Sequence, residues 1–291
     1  MTVWCLGSVN ADHVYRLPHL PAPGETLAAH DYARGLGGKG TNMAVAAARA
    51  GARVELIGRI GPDGGWMRDR IAGYGVGIAH LAEGDGPSGH AIIYVDAAGE
   101  NQITIFPGAN REIALAQVEA ALGGAAAGDI FVTQNETSLQ REAADLARAN
   151  GLRVIYAAAP FEAEAVAAML DVTDMLVLNA VEAAQLEEAT GIAPGDLPVG
   201  DVVITRGAEG VRWIDTNTGK TRDFPAVRVD PVDTVGAGDT FTGYLMAGLD
   251  SGADMAGAIT LAARAAALKV TRRGAADAVP TRAEVEGWQP S

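Results

Sequence analysis

The sequence has a single cysteine, Cys5, so the chain cannot form an internal disulfide bond. Cys5 lies in the apolar run of residues 3–6, which favours a buried small side chain over a reactive thiol. No segment approaches about 18 uninterrupted apolar residues, and the start of the chain has no basic stretch followed by a long apolar core. We therefore predict no membrane span and no secretory signal, and we expect a soluble, cytoplasmic protein.

Basic residues are also few: 22 lysines and arginines stand against 36 aspartates and glutamates, which gives a formal charge of −14. A field of that sign repels the phosphate backbone of nucleic acids and anionic membrane surfaces, so neither is an expected partner. A polyanionic ligand would have to be held locally, by backbone N–H groups, a few basic side chains or a metal ion. With 291 residues, 48% of them hydrophobic, the chain is long enough to bury one large core.

Short β-branched runs alternate with alanine-rich stretches of helical character along most of the chain. This alternation predicts parallel strands joined by crossover helices, hence an α/β fold in the form of a three-layer, Rossmann-like sandwich. Thr41 is expected to cap the first helix. The predicted strands are 3–9, 53–57, 130–133, 153–156, 175–178 and 202–205, with hairpin-like strands at 211–214 and 221–229, and the predicted helices are 41–50, 138–150, 162–170, 181–189, 239–249 and 254–270.

Two regions do not fit a crossover connection. Residues 12–36 contain three prolines and no helical period, and residues 88–106 have the pattern of a hairpin with a turn at 96–99. Together they could form a small β-sheet that stands off the main body. We therefore predict a single domain of residues 1–291 with a discontinuous β-sheet lid, from about 12–36 and 88–107, inserted in it.

The most informative stretch is the string Asp-Thr-Val-Gly-Ala-Gly-Asp at residues 233–239, which opens a predicted helix. Gly236, Ala237 and Gly238, here called the glycine turn, would let the backbone approach an anion closely. The helix behind them would direct free N–H groups and its positive dipole end at that anion. Such an arrangement stabilises a phosphoryl-transfer transition state, whose charge spreads over non-bridging oxygens.

Asp239, directly after the glycine turn, would be placed to accept the proton of an attacking hydroxyl group. On its own, an aspartate at a helix start is usually a cap, and Gly-Ala-Gly is usually just a turn. The complete string is more specific. A string in which six residues are specified would occur by chance in roughly one of 10⁵ chains of this length. The pattern therefore favours catalysis of phosphoryl transfer.

A second polar cluster follows the first predicted strand. Asn10 and Asp12 leave the carboxyl end of that strand, where ligands of open α/β sheets gather. Asp12 can accept two hydroxyl protons, and Asn10 can both donate and accept, as the hydroxyl groups of a sugar require. Alone, Asn-x-Asp is more typical of an Asx turn. Its combination with Gly38, Lys39 and Asn42, which add close backbone and further donors, favours a sugar site.

These clusters resemble the two signatures of a known family, the ribokinase-like (PfkB) carbohydrate kinases. Residues 233–239 resemble its C-terminal signature, and residues 37–52 resemble its N-terminal one. The resemblance runs from residue 7 to about 280 and is closest to the ribokinase branch, through residues 7–13, 23–26, 99–101 and 108–110. It implies an ATP-dependent kinase that converts D-ribose to D-ribose 5-phosphate with Asp239 as general base. It also implies a homodimer that pairs the lids.

The resemblance further assigns roles to individual residues. Glu136 would contact the sugar, and Gly238 would contact ATP. Asn179 and Glu182 would organise Mg²⁺ and phosphate, although their Asn-x-x-Glu spacing also suits a helix cap and a first-turn acid. The loop that runs along ATP matches Thr205, Gly207 and Gly210. A monovalent cation, potassium in this family, would lie beside the glycine turn at positions that match Asp233, Val235, Lys269, Arg272 and Gly274.

The chain departs from the family pattern at a few positions. Ala278 stands where the family often has serine at the cation site, and Ala263 stands where many ribokinases have a histidine near the adenine. Residues 156–160 lack the asparagine of the family's Asn-Pro-Ala-Pro stretch, and residues 192–200 are short where a helix is usual. Two alternatives therefore stay open: a kinase of the same fold for another small sugar or a nucleoside, and a sugar-binding relic without catalysis.

Overall fold

A computed structural model describes residues 1–290 of the chain. Its main body is a nine-stranded sheet with helices on both faces, and a separate four-stranded sheet stands beside it. The strands are β1 Thr2–Leu6, β2 Asn10–Arg16, β3 Asp31–Gly37, β4 Arg53–Ile60, β5 Leu81–Glu83, β6 Gly89–Val95, β7 Asn101–Phe106, β8 Ile130–Thr133, β9 Arg153–Ala157, β10 Met175–Asn179, β11 Asp201–Thr205, β12 Val211–Asp215 and β13 Lys220–Phe224. The helices are α1 Lys39–Arg49, α2 Gly65–Gly73, α3 Leu115–Leu122, α4 Gln140–Ala149, α5 Ala163–Met169, α6 Ala180–Thr190, α7 Ala237–Asp250, α8 Met255–Val270 and α9 Arg282–Gly287.

The main sheet has the strand order β13-β12-β11-β10-β9-β8-β1-β4-β5. From β11 to β5 every pairing is parallel, and β12 and β13 add an antiparallel hairpin at one edge. The buried apolar residues form two clusters, one between the sheet and α1, α7 and α8, and one between the sheet and α3 to α6. This is a three-layer α/β sandwich, so the fold class predicted from the alternation of strands and helices is confirmed.

The second sheet, here called the small sheet, has the order β3-β2-β6-β7. Strands β2 and β6 are parallel, and the other two pairings are antiparallel. All six residues of β7 are exposed, and exposed apolar side chains concentrate on this sheet. Those are Tyr32, Ile103, Ile105 and Phe106.

The small sheet joins the main body through a close glycine contact. Only Gly38 separates the end of β3 from the start of α1. Gly38 has a φ of 92°, and a Cβ there would come within 2.6 Å of the carbonyl oxygen of Ser8. The turn after β1 therefore packs directly on the first turn of α1, and a side chain at position 38 would force them apart.

The structure corrects several boundaries predicted from the sequence. Helix α1 begins at Lys39 with Gly38 as its N-cap, and the Thr41 hydroxyl donates to the carbonyl oxygen of Ser8 at 2.8 Å, so the prediction of Thr41 as a cap was wrong. Strand β1 ends at Leu6 rather than residue 9, because the chain turns there toward the small sheet. Strand β13 ends at Phe224 rather than 229.

The sequence analysis missed three helices, α2, α3 and α9, and the first two have weak local signals. Helix α2 buries only Met67 and Ile71 and is bounded by glycines, so it has little hydrophobic periodicity. Helix α3 is only eight residues long and has no side-chain cap. Both patterns are typical of irregular segments when no tertiary contacts are known.

The single cysteine lies on β1, an interior strand of the main sheet between β8 and β4. Cys5 is fully buried, and burial raises the pKa of its thiol to about 12. Across residues 1–290, none of the helices combines the length and apolar character needed to cross a lipid bilayer.

Candidate active site

The candidate site is a cleft at the carboxyl ends of the parallel strands. The first turns of α1 and α7 approach each other there, and those two helices pack side by side. The side chains that line the cleft come from both the predicted sugar cluster and the predicted phosphate cluster. They include Lys39, Asn179, Glu182, Thr205 and Asp239, together with the glycine turn.

The glycine turn forms the start of α7. Gly236 is the N-cap and has a φ of 72°, a conformation that glycine adopts without strain. Within residues 1–290 the backbone N–H groups of Gly238 and Asp239 have no protein acceptor, as expected in the first turn of a helix. A Cβ atom added to Gly238 would meet no other atom within 4 Å, so packing does not explain this glycine. Open space beside free N–H groups at a helix start suits an anion such as phosphate.

Asp239 is held in place by a residue from the other helix. It is only 8% exposed, and its Oδ2 atom accepts a hydrogen bond of 2.8 Å from Nδ2 of Asn42. This bond fixes the carboxylate beside the glycine turn, and its Oδ1 atom accepts no hydrogen bond from the described residues. The Oδ1 atom of Asn42 is buried and has no hydrogen-bond partner in the described part of the chain. An unpaired buried acceptor at this point is suited to a ligand hydroxyl group.

Asn10 and Glu136 are oriented by neighbours that the sequence analysis did not assign. Asn10 is buried, and its Oδ1 atom accepts a 2.8 Å hydrogen bond from Asn110. The side chain of Asn110 also accepts from the N–H of Val9, so it ties the turn after β1 to the loop after β7. Glu136 accepts hydrogen bonds from the hydroxyl of Ser8 and, at 3.0 Å, from the N–H of Lys39.

Ser8 and Asn110 both fall within stretches that resemble the family. Each is a short polar residue in a turn, and such residues are too common for a single sequence to reveal that they position others. Their role becomes visible only from the distances between elements that are far apart in the chain.

Asp12 carries an unusual carboxyl group. Burial raises its pKa to about 7, and the nearby negative charges of Glu136 and Asp239 act in the same direction. The Asp12 carboxyl therefore changes its charge near neutral pH, in the part of the site predicted to bind the sugar.

Lys39 is the cation of this acidic cluster. The negative charge of Asp239 is the main cause that raises its pKa, burial opposes this effect, and Glu136 and Glu182 add to it. Its side chain lines the cleft beside Asn179 and Glu182, so it faces the predicted phosphate side as well as the sugar side.

Asn179 and Glu182 form a complete capping box at the start of α6. The Asn179 side chain accepts from the N–H of Glu182, and Glu182 accepts from the N–H of Asn179, each at 2.8 Å. The capping interpretation is therefore confirmed. Both residues also line the cleft, and their role toward Mg²⁺ and phosphate stays a prediction. Burial raises the pKa of Glu182, while the Asn179 N–H and the charge of Lys39 lower it.

Thr205 lines the cleft, whereas Gly207 and Gly210 lie outside it in the loop after β11. Gly210 has a φ of 92°, and a Cβ there would collide with the carbonyl group of Phe224. The close approach of β13 therefore accounts for this glycine without a ligand.

The residues fit a magnesium ion carried largely by phosphate and water. Among residues 1–290, no group of three or more acidic, histidine or cysteine side chains is placed to hold a metal on its own. Glu182 nevertheless offers a carboxylate in the cleft, close to where the glycine turn would hold phosphate. Mg²⁺ commonly keeps several waters and takes few protein ligands, so this donor set is sufficient.

The positions that resemble a monovalent cation site form a compact loop behind the glycine turn. The carboxylate of Asp233 accepts hydrogen bonds from the N–H groups of Val235 and Gly274, both at 2.9 Å. Lys269 donates from Nζ to the backbone carbonyl of Asp233 at 3.0 Å. The guanidinium of Arg272 forms a 2.8 Å ion pair with Glu284 instead. The carboxylate and carbonyls have the right chemistry for a cation, but the ammonium of Lys269 already brings one positive charge to them.

The family departures lie in and around the cleft. Ala157 and Ala159 line it beside Asn179, so the missing asparagine leaves a small apolar wall there. Ala263 lies on α8, partly buried against the core. Ala278 is buried and offers no hydroxyl group to the loop behind the glycine turn.

Comparison with known proteins gives concordant matches over nearly the whole chain. The family model described as pfkB family carbohydrate kinase matches residues 2–282. The sequence is 36% identical to the ribokinase of Haemophilus influenzae, over 97% of this chain and 96% of that protein. The ribokinase structure from Thermotoga maritima has a TM-score of 0.87 and 30% identity, and covers 98% of both chains. The structure of Arabidopsis thaliana ribokinase complexed with ribose and ATP has a TM-score of 0.85 and 27% identity, over 98% of this chain and 97% of that one.

Proposed function

Because the chain belongs to the pfkB family of carbohydrate kinases, we propose that it transfers the γ-phosphoryl group of ATP to the 5-hydroxyl of D-ribose. The observation that carries this proposal is the carboxylate of Asp239, fixed by Asn42 beside a glycine turn with free N–H groups. The ribose preference is supported by the ribokinases to which the chain is similar over almost its full length. No feature of the cleft favours a nucleoside over a free sugar.

Asp239 acts as the general base of this reaction. It takes the proton of the sugar hydroxyl, whose oxygen attacks the γ-phosphorus while the bond to the bridging oxygen of ADP breaks. In the glycine turn, the free N–H groups of Gly236 and Gly238 stabilise the charge that develops on the non-bridging oxygens, whereas the N–H of Ala237 donates to the carbonyl oxygen of Thr234 at 3.2 Å. Lys39 lies close enough to Asp239 for the charge of that carboxylate to raise the pKa of Lys39. Its ammonium adds a positive charge on the same side of the site.

The sugar lies between β2 and α1 in this proposal. Asn10, Asp12 and Glu136 accept or donate hydrogen bonds to its hydroxyl groups, and the unpaired Oδ1 of Asn42 accepts one more. Gly38 lets the turn after β1 pack on the first turn of α1 at this corner, since a Cβ there would collide with the backbone of Ser8. Lys39 adds a donor above the hydroxyl that reacts.

The nucleotide occupies the cleft between α6 and α7. Thr205, Asn179 and Gly238 line its phosphate end, and the loop of Gly207 and Gly210 runs along its outer side. Glu182 would hold the water shell of a bound Mg²⁺, which would supply positive charge to neutralise the phosphates. The resemblance also implies a potassium ion, but the ammonium of Lys269 already brings a positive charge to the positions that would hold it.

The small sheet serves as a lid over the sugar and as a dimer interface. It carries Asn10 and Asp12 on β2, so a bound sugar contacts both the lid and the main body. Its exposed apolar residues need cover from water, which a second copy of the chain would supply. The proposed location is the cytoplasm, where ATP is available.

Replacing Asp239 by asparagine tests the proposed function directly. The variant keeps the size of the side chain but cannot accept the proton, so kcat for ATP-dependent ribose phosphorylation should fall by about 10²–10⁴-fold. Release of ADP is measured with ribose, other pentoses, hexoses and nucleosides. Asp145→Asn, on the exposed face of α4, is the matched control and should keep full activity.

Two results would contradict the proposal. Near wild-type turnover in Asp239→Asn, with an unchanged circular dichroism spectrum, would remove Asp239 as base. A wild-type protein that releases no ADP with any sugar would favour the sugar-binding relic instead.

A further inference from the structure

Lys269 is a buried charge that the proposed mechanism leaves unused. It lies in the last turn of α8, is fully buried, and is among the largest buried side chains of the protein. Lysines are rarely buried completely, because removing an ammonium group from water costs free energy unless negative partners compensate. We therefore expect negatively charged or carbonyl groups close to Lys269 that compensate for the burial of its ammonium group.

The hydrogen bond of Lys269 leads to the loop that carries the glycine turn. Its ammonium donates to the carbonyl oxygen of Asp233 at 3.0 Å, three residues before Gly236. The carboxylate of Asp233 is itself held by the N–H groups of Val235 and Gly274. The ammonium is thus attached to the segment that shapes the start of α7.

Lys269 is close to two negative charges. Burial lowers its pKa below the ordinary value of a lysine, and the charges of Asp233 and Asp239 reduce this effect without cancelling it. Arg272, three residues further along the chain, turns away to pair with Glu284. Lys269 is therefore the positive group that contacts the loop of Asp233, on the side away from the cleft, whereas Lys39 lines the cleft itself.

We propose that the ammonium of Lys269 is a resident cation behind the glycine turn, which supplies the positive charge that a bound potassium ion would otherwise supply. This inference rests on the proposed phosphoryl transfer and makes Lys269 a positioning residue, since it touches the loop and not the substrate. Two observations support it. The ammonium already donates a hydrogen bond to the carbonyl oxygen of Asp233, and Ala278 has no hydroxyl group that could bind a cation in the same loop. The chain should then work without a monovalent cation.

The wild-type protein gives the first test. ADP release with ribose is measured at equal ionic strength in potassium, sodium and tetramethylammonium chloride, the last being too large to enter the loop. We expect kcat values that agree within about twofold. Activation of about tenfold or more by potassium would overturn the proposal, because a resident cation leaves no vacancy for one.

Two substitutions give the second test. Lys269→Met keeps most of the length of the side chain without its charge and should lower kcat by about tenfold or more in every salt, with a smaller change in KM for ribose. Lys269→Ala opens space and should be activated by potassium but not by tetramethylammonium. The matched control is Lys220→Met, an exposed lysine of β13, which should behave as wild type. Full activity of either Lys269 variant in tetramethylammonium chloride would overturn the proposal.

Thermal unfolding provides a readout that does not depend on catalysis. Potassium, compared with sodium, should leave the Tm of the wild type unchanged and raise that of Lys269→Ala by about 3 °C through binding. A potassium-dependent rise in wild-type Tm would count against the proposal even if the protein phosphorylates no sugar. Failure of the proposed function and failure of this inference are therefore distinguishable.

Discussion

At the scale of single residues, the site concentrates negative charge where a neutral sugar would bind. Asp12, Glu136 and Asp239 interact with one another, and Lys39 is the cation nearest to them in the cleft. Such crowding adds to the effect of burial and favours protonation of one of the carboxyl groups. Asp12, whose pKa is raised to about 7, is that group.

Sugar binding should therefore depend on pH through Asp12. The ionised carboxylate can accept two hydroxyl protons, so KM for ribose should fall as the pH rises from 6 to 8, by up to about tenfold. KM for ATP should change little over the same range. Asp12→Asn, which cannot ionise, should give a KM for ribose that is independent of pH; a slope equal to that of wild type would exclude Asp12 as its cause.

The same group affects stability with the opposite sign. A folded-state pKa raised above the unfolded value means that the folded protein binds the proton more tightly. The stability contributed by Asp12 is then fully present below its unfolded pKa and is lost as the pH rises through about 7. As the pH rises through about 7, ribose should therefore bind more tightly while the contribution of Asp12 to the free energy of unfolding is lost.

Residue types with strong chemical signatures could be predicted from the sequence. The glycine turn and Asp239 line one cleft, and Asp12 lies close enough to Asp239 for the charge of Asp239 to raise the pKa of Asp12. Ser8 and Asn110 could not be assigned, because their contribution is a contact with residues about 100 positions away. The burial of Lys269 was equally invisible, since a lysine at a helix end is usually solvated.

At the scale of elements, helix α7 combines two kinds of glycine with different tasks. Gly238 borders open space in the cleft, whereas Gly243 lies against α1, where a Cβ would come within 2.6 Å of the carbonyl oxygen of Met43. A ligand in the cleft would explain why residue 238 is glycine, whereas the packing of α7 on α1 explains why residue 243 is glycine.

Alanine substitutions should separate these tasks. Gly238→Ala should leave the Tm unchanged or slightly higher, because alanine favours a helix, yet lower kcat by about tenfold or more by crowding the phosphate. Gly243→Ala should cost about 1–3 kcal/mol of stability through overpacking, measured by denaturant unfolding. A Gly238→Ala protein with full activity would mean that phosphate does not approach position 238.

Elements with strong periodicity could be placed from the sequence to within a few residues, and α8 is an example. Short elements such as α2 were missed, because their stability comes from contacts with the rest of the fold rather than from local pattern. The predicted start of α1 was wrong for a related reason. The hydroxyl of Thr41 donates to the carbonyl oxygen of Ser8, which is distant in the sequence, and does not cap the helix.

At the scale of the whole molecule, the small sheet leaves apolar surface in contact with water. Ile103 and Ile105 lie two residues apart on β7, so they share one face, and both are about half exposed. A homodimer that pairs small sheets would cover this surface.

Light scattering during size exclusion tests this assembly. The wild type should have about twice the mass of one chain, and the double variant Ile103→Asp with Ile105→Asp should have the mass of one, because buried carboxylates oppose pairing. Ile192→Asp, an exposed apolar position on the main body, is the matched control and should stay dimeric. A wild-type protein with only the mass of one chain would refute the dimer.

The placement of Cys5 also has a consequence for following how the molecule opens. Its thiol lies on β1, an interior strand between β8 and β4, out of contact with water, and its pKa of about 12 keeps it protonated. A thiol reagent can then modify only those molecules in which the sheet has separated, since thiolate and access are both required. With one cysteine in the chain, each labelling event counts one opening of the core, without background from any other thiol.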